Sequence, residues 1–261
     1  MLKEYINDAW LPVLRHNHLD NFGALWELHK DAWFEPPNYR RGGWSGVIKT
    51  SISLPDGQQV GVFIKRQENH FFRSWRNFFR LTATFEREFR NLLNFRKLGV
   101  PTLEPIYYCQ KTVDGKLRAI IVTRELECYK PFDDDCYNPI SQLGRSRRHR
   151  LVTTVARTLR GMHEAHLQHN CLYLKHVFVK EEPDGAVDVR LIDLEKAKWR
   201  PFKSIITTRD LYSLYRGAEG WSRTDRLRFF LAYRNEHHLS VESKKLARAI
   251  VKRLMHKNRR V

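Results

Sequence analysis

Two β-rich runs, Val177-Phe178-Val179 and Val187 to Ile192, flank Glu181-Glu182-Pro183-Asp184-Gly185, and no other stretch constrains the chain as much. Pro-Asp-Gly is turn chemistry: proline presets φ, aspartate bonds its own backbone, and glycine accepts φ > 0. The two runs are expected to fold back as a hairpin. That hairpin would bring the polar loop His169–His176 beside Asp193, where the second run ends. An acid closing a buried strand beside a His-rich loop has two readings. It caps the strand among surface histidines, or it holds a metal–phosphate complex. The stretch alone leaves the two even.

The remainder of the chain sets the frame for that choice. At 261 residues it can build a sizeable core, as one domain or as two lobes. Hydrophobic content of 42% with 12% aromatics is that of a globular protein rather than a disordered one. Lys+Arg 47 against Asp+Glu 29 gives +18, which calls for a polyanionic partner: nucleic acid, phosphorylated metabolite or anionic membrane. Cys109, Cys128, Cys136 and Cys171 lack C-x-x-C spacing, and MLKEYINDAW lacks a basic segment leading into an apolar one. No apolar run approaches the length of a membrane span, so a reducing cytoplasm is the expected compartment.

Residues 1–38 carry no legible motif. Gly42, Gly43 and Gly46 then open a β-run from Val47 to Leu54, followed by a Pro55-Asp56-Gly57 turn and a second run from Val60 to Lys65. Glycines let backbone amides approach phosphates, and they also make plain tight turns. In Gly61-Val62-Phe63-Ile64-Lys65, alternation puts Lys65 on the face of Gly61 and Phe63. It is either an edge lysine that snorkels or the strand lysine that contacts nucleotide phosphates. If Phe71 to Arg80 is helical, Phe71, Phe72, Trp75, Phe78 and Phe79 share a side flanked by arginines. That stripe is core, or it lies in an anionic membrane interface. Phe85 to Leu98 is a helix stopped by Gly99 and Pro101, with Glu88 bordering its apolar stripe. Glu88 could pair inward with Lys65; Glu86 is the alternative. Strands at Glu104–Gln110 and Leu117–Thr123 follow, joined at Val113-Asp114-Gly115, with Glu125-Leu126-Glu127 as the connection to a second half. There Arg145–Arg150 reads as a solvated basic segment, and Leu151–His166 as a helix leading into the central loop.

This order of elements resembles the two-lobed protein-kinase fold, an α+β architecture with a β-rich first lobe (1–127) and a mainly helical second lobe (128–261). The motifs NYRRGGWSGV (38–47), VFIKR (62–66), REFRNLLNFRKLGVPT (87–102), QHNCLYLKHVFVK (168–180), LIDLEKAKW (191–199), TRDLYSL (208–214) and SRTDRLRFFLAYR (222–234) are similar to those of the bacterial lipopolysaccharide kinases. Those proteins phosphorylate heptose or Kdo of the inner core, and the motifs look most like the InaA branch of the family. The resemblance implies ATP and Mg2+ as cofactors. Lys65 would bind phosphate with Glu88 as its helix partner, beneath the glycines Gly42, Gly43 and Gly46. Asp193 would bind magnesium, and His176 stands where kinases place a second metal ligand. His169 would open the catalytic loop, and Asp210 would support the loop backbone.

One position departs from active kinases. Two residues after His169, where the catalytic-base aspartate is expected, stands Cys171. A neutral thiol is a poor proton acceptor. Phosphoryl transfer depends mainly on positioning and charge neutralisation, and a general base typically contributes about 10²–10⁴-fold. Two functions therefore compete. One is an ATP-dependent kinase acting on a sugar hydroxyl of the lipopolysaccharide core, or another anionic acceptor, at the inner face of the cytoplasmic membrane. The other is a pseudokinase, a nucleotide-binding regulator without efficient turnover. No nucleic-acid motif accompanies the charge, so nucleic acid is not the expected partner. A metal cluster of His163, His166, His169, Cys171 and His176 is also disfavoured, because helical steps of three drift around the axis.

Overall fold

The computed structural model describes residues 4–29, 32–40, 42–73, 81–218 and 220–258. The chain divides into two compact units, residues 1–93 with 103–127 and residues 94–102 with 128–261. In the first unit the elements run β1 (Glu4–Ile6), α1 (Leu11–His16), α2 (Phe22–Glu27), β2 (Glu35–Arg40), β3 (Gly43–Ser53), β4 (Gln59–Glu68), β5 (Phe71–Arg73), β6 (Leu81–Ala83), α3 (Thr84–Lys97, its last four residues counted with the second unit), β7 (Pro105–Val113) and β8 (Lys116–Arg124). Six of the strands form an antiparallel sheet in the order β1-β7-β8-β4-β3-β2.

Alternation along the strands decides what the sheet covers. Val60, Val62 and Ile64 of β4, with Ile48 and Ile52 of β3, are buried on one face against Val13, Leu14, Leu25 and Trp26 of α1 and α2. The otherwise unreadable first 38 residues thus supply an edge strand and two helices that close this core. Each such side chain contributes about 1.5–3 kcal/mol by leaving water. On α3, Phe85, Phe89 and Leu92 recur at helical spacing and are buried, Phe89 stacking on Tyr108 of β7 at 4.7 Å. The turns form as their residues require. Gly57 has φ +86° and Gln58 N–H donates to Asp56 Oδ1 at 3.0 Å between β3 and β4. Asp114 and Gly115, both at positive φ, join β7 to β8.

The Phe71–Arg80 expectation is only partly open to inspection. Phe71–Arg73 is a strand, paired antiparallel with Leu81–Ala83, so a helix does not include it; residues 74–80 lie outside the described residues.

In the second unit the elements are β9 (Lys130–Pro131), α4 (Arg145–Glu164), β10 (Leu167–Gln168), β11 (Val177–Glu181), β12 (Val187–Leu191), β13 (Lys198–Trp199), α5 (Lys203–Arg216), α6 (Arg223–Arg234) and α7 (Val241–Asn258). The opening hairpin forms with Val177 opposite Leu191, and Ala186 N–H donates to Asp184 Oδ1 at 2.9 Å in its turn. α4 starts six residues earlier than the apolar periodicity suggests. Its basic first turns are not merely solvated: Arg147 donates a fork of hydrogen bonds to Glu181 at 2.7–3.0 Å, and Arg148 lies 3.1 Å from buried Asp225. Arginine is a good helix former with a long stem, so a charged run can extend a helix when carboxylates stand within reach. Among the described residues, no helix is long and apolar enough to cross a membrane.

Candidate active site

Lys65 lies on β4 opposite Val47 of β3 and Ile121 of β8, so the sheet holds its backbone from both sides. Because its neighbours Ile64 and Arg66 point into the α1–α2 core, Lys65 emerges on the α3 face. There Nζ donates to Glu88 Oε1 at 2.6 Å, with the glutamate side chain only 4% exposed. Glu86, the other candidate, is occupied elsewhere. It accepts from Arg90 at 2.8 Å and from the Gln110 amide. A buried carboxylate with one cation is costly to strip of that partner, so the pair holds the lysine in a fixed position.

The glycines answer to different demands. Gly42 has φ +76° in the tight connection from β2 to β3, with open space where a side chain would project. A Cβ on Gly43 would strike the backbone of Asn69, and one on Gly46 would strike the ring of Trp33. Gly61, four residues before Lys65 on β4, is covered by the Glu125 side chain, which Lys49 pairs at 2.5 Å.

The second unit assembles the loop and the acid. Asp210, on α5 and 1% exposed, accepts the backbone N–H groups of His169 at 2.7 Å and Asn170 at 2.9 Å. This fixes the loop backbone from behind, with Asn170 at φ +66°. His169 is fully buried, and its Nε2–H donates to the Ile192 carbonyl at 2.9 Å. Burial pushes its pKa below the ordinary imidazole value, with Asp210 pulling the other way. Its role is packing and tethering.

Cys171 is half-buried, and its carbonyl accepts from Tyr173 N–H at 3.0 Å and His176 Nδ1–H at 2.8 Å. Because Nδ1 must carry the proton to reach a carbonyl, the neutral ring presents a lone pair at Nε2. That Nε2 lies 3.3 Å from Asp193 Oδ2. Asp193 follows β12 in the left-handed region, φ 57° and ψ 57°, with its side chain 46% exposed. Non-glycine residues rarely adopt that conformation, and they concentrate where a side chain must be aimed. An oxygen and a nitrogen donor this close suit one divalent cation. The Asp193 carboxylate is the kind of oxygen donor with which Mg2+ is held beside phosphates and water, whereas the imidazole nitrogen is a donor better matched to softer divalent ions. The larger cluster of histidines and Cys171 does not assemble. Among the described residues no three His, Cys, Asp or Glu side chains converge on a metal position.

Sequence reasoning placed His163 only in a disfavoured metal cluster and gave no part to Arg66. His163 is buried between Tyr233 OH, 2.8 Å from Nδ1, and Asp210 Oδ2, 3.2 Å from Nε2; Thr207 Oγ1 meets the same tyrosine hydroxyl at 2.8 Å. Arg66, 1% exposed, donates Nε–H to the Leu25 carbonyl at 3.0 Å and also bonds the Leu28 carbonyl, pinning the end of α2 to the sheet. Burial lowers its pKa to about 10, with Glu27 opposing. No local pattern announces such partners, which lie 38–70 residues away in sequence.

Comparison with known proteins agrees with this layout. The sequence profile described as "Lipopolysaccharide kinase (Kdo/WaaP) family" matches residues 24–233. Protein InaA of Escherichia coli K12 is 29% identical over 182 residues, covering 69% of this chain and 80% of InaA. Lipopolysaccharide core heptose(I) kinase WaaP of Pseudomonas aeruginosa is 30% identical over 166 residues, 56% of this chain and 58% of WaaP. A solved structure of WaaP in complex with acyl carrier protein superposes with a TM-score of 0.68 at 21% identity, covering 99% of both chains. The fold is thus kinase-like, β-rich in the first unit and mainly helical in the second, and the chain belongs to the lipopolysaccharide kinase (Kdo/WaaP) family.

Proposed function

We propose that this chain is an ATP-dependent phosphotransferase acting on a sugar hydroxyl of the lipopolysaccharide core, or a related anionic acceptor, at the inner face of the cytoplasmic membrane. The observation that carries the reading is the Lys65–Glu88 pair, a cation fixed at 2.6 Å by a buried carboxylate. Lys65 would contact the nucleotide phosphates, with Gly42 the glycine of its loop that leaves open space for them. Asp193 and His176 would hold Mg2+, which when bound offsets phosphate charge. The loop held by Asp210 would orient the acceptor, and Cys171 stands where that hydroxyl would be received. Family membership and the name of the Pseudomonas relative support this acceptor class.

One residue favours a second reading. With a thiol at position 171, the chain would bind nucleotide without efficient turnover. Incubation of the purified protein with ATP and Mg2+, with and without lipopolysaccharide core, separates the two. Core-dependent phosphate incorporation supports the kinase. Saturable nucleotide binding without incorporation supports the regulator, and no nucleotide binding defeats both.

A further inference from the structure

Beyond Asp193 the chain turns back toward solvent with an unusual composition. Trp199, Phe202 and Ile205 are 60%, 64% and 45% exposed. Single exposed apolar residues are ordinary, but three large ones within seven positions form a patch. Local structure puts them there. Trp199 ends β13, its ring stacked on His166 at 5.9 Å, and Phe202 is the residue from which α5 starts. Ile205 is one turn into the helix, where the following Ile206 and Thr207 take the inward face and leave it outside. Lys196 and Lys198 precede the three, Arg200 and Lys203 lie among them, and from Leu194 to Arg209 the only acid is Glu195.

A second observation meets the first at Lys203. That residue also lines a cavity of about 280 Å³, together with Arg160, Glu164 and Arg234. Buried Tyr233 and His163, bonded to each other at 2.8 Å, form part of its wall. Three cations meet two carboxylates here: Arg160 pairs with Glu164 at 2.7 Å, and Arg234 lies 3.6 Å from Glu236. Lys203 therefore carries the remaining positive charge of a cavity with room for a group of phosphate size.

We propose that Trp199–Ile205 is a docking surface for an anionic phospholipid bilayer, with Lys203 and the adjoining cavity receiving a lipid phosphate. Aromatic and aliphatic side chains between cations suit the boundary of headgroup and acyl chain, where apolar insertion and attraction to anionic lipid add. A nucleic acid would use the cations but leave Ile205 in water, and a complementary protein surface would have to supply the acids. The surface lies within one unit and needs no phosphotransfer, so its failure would leave the proposed reaction standing.

Flotation of the full chain with phosphatidylcholine vesicles, with and without phosphatidylglycerol, tests the assignment. We expect binding only to the anionic vesicles, weakening with salt. Trp199→Ser with Phe202→Ser should reduce partitioning roughly tenfold or more, and Lys203→Glu about tenfold, at unchanged melting temperature. A wild type that does not float, or variants that float like wild type, would overturn it. So would equal loss of heparin and vesicle binding in the aromatic variant, which would indicate a general polyanion site. Competition of flotation by inorganic phosphate, with no effect of the aromatic substitutions, would assign the cavity to a free anion. A concentration-dependent dimer abolished by the aromatic substitutions would assign the patch to a second copy of this chain.

Discussion

With Cys171 at the proposed base position, the question is what a thiol can do in place of a carboxylate. Two hydrogen bonds, from Tyr173 N–H and His176 Nδ1–H, hold this residue through its backbone carbonyl. Cys171→Ala should therefore leave nucleotide affinity within about twofold of wild type, measured by titration calorimetry, because the position does not hold phosphates. Cys171→Asp should raise ATP turnover by about 10²-fold if only the base is missing, and lower it if the site is built around sulfur. Arg66 presents a different case, since its guanidinium serves the fold. Arg66→Ala would remove the donor from a buried Leu25 carbonyl and a half-buried Leu28 carbonyl, so we expect a loss of about 2–3 kcal/mol in urea unfolding, with little recovery in Arg66→Lys. The contrast shows what the sequence disclosed at this scale. The face of Lys65 was legible from strand alternation, while helical spacing brought Glu88 within reach but left Glu86 open beside it. Arg66 alternates onto the apolar face, where periodicity gives no reason to place a charge; only the carbonyls at the end of α2 supply one.

Secondary structure was most legible where turn chemistry and apolar period agree, as in the β3–β4, β7–β8 and β11–β12 hairpins. It was least legible where charge hides the period, as in the first turns of α4, and in residues 1–38, whose strand and helices are defined only by the sheet they cover. Strand pairing also carries electrostatics that no linear reading predicts. Glu68 of β4 lies opposite Arg118 of β8, accepts from it at 2.7 Å, and accepts from Lys116 at 3.0 Å. Burial alone would raise the Glu68 pKa, but these two cations outweigh it and hold the carboxyl below the ordinary range. A folded-state pKa below the unfolded one gives stabilisation that is complete above about pH 4.3 and drains away as pH falls through the folded value. Glu68→Gln should cost about 0.5–1 kcal/mol at pH 7 and nothing once the carboxyl is protonated in both states. Melting curves from pH 7 down to pH 2 would show the difference between the two proteins shrinking along the acid limb.

For the molecule as a whole, nucleotide binding should appear as stability. A ligand that binds only the folded chain adds about 2.7 kcal/mol at a hundredfold excess over Kd. We expect ATP to raise the melting temperature in a Mg2+-dependent manner, with Asp193→Asn removing the metal dependence while leaving the ligand-free melting temperature within a degree or so. An absent shift at millimolar ATP would contradict both proposed functions. The clamp at Asp210 has a further consequence. Because one carboxylate on α5 holds the loop through main-chain amides, the path of the loop is indifferent to what side chain stands at position 171. Selection can exchange that side chain without first paying in folding. On the proposed reading, position 171 is in this sense a replaceable bit on a fixed tool-holder, and a lineage could pass from catalyst to sensor and back through a single codon.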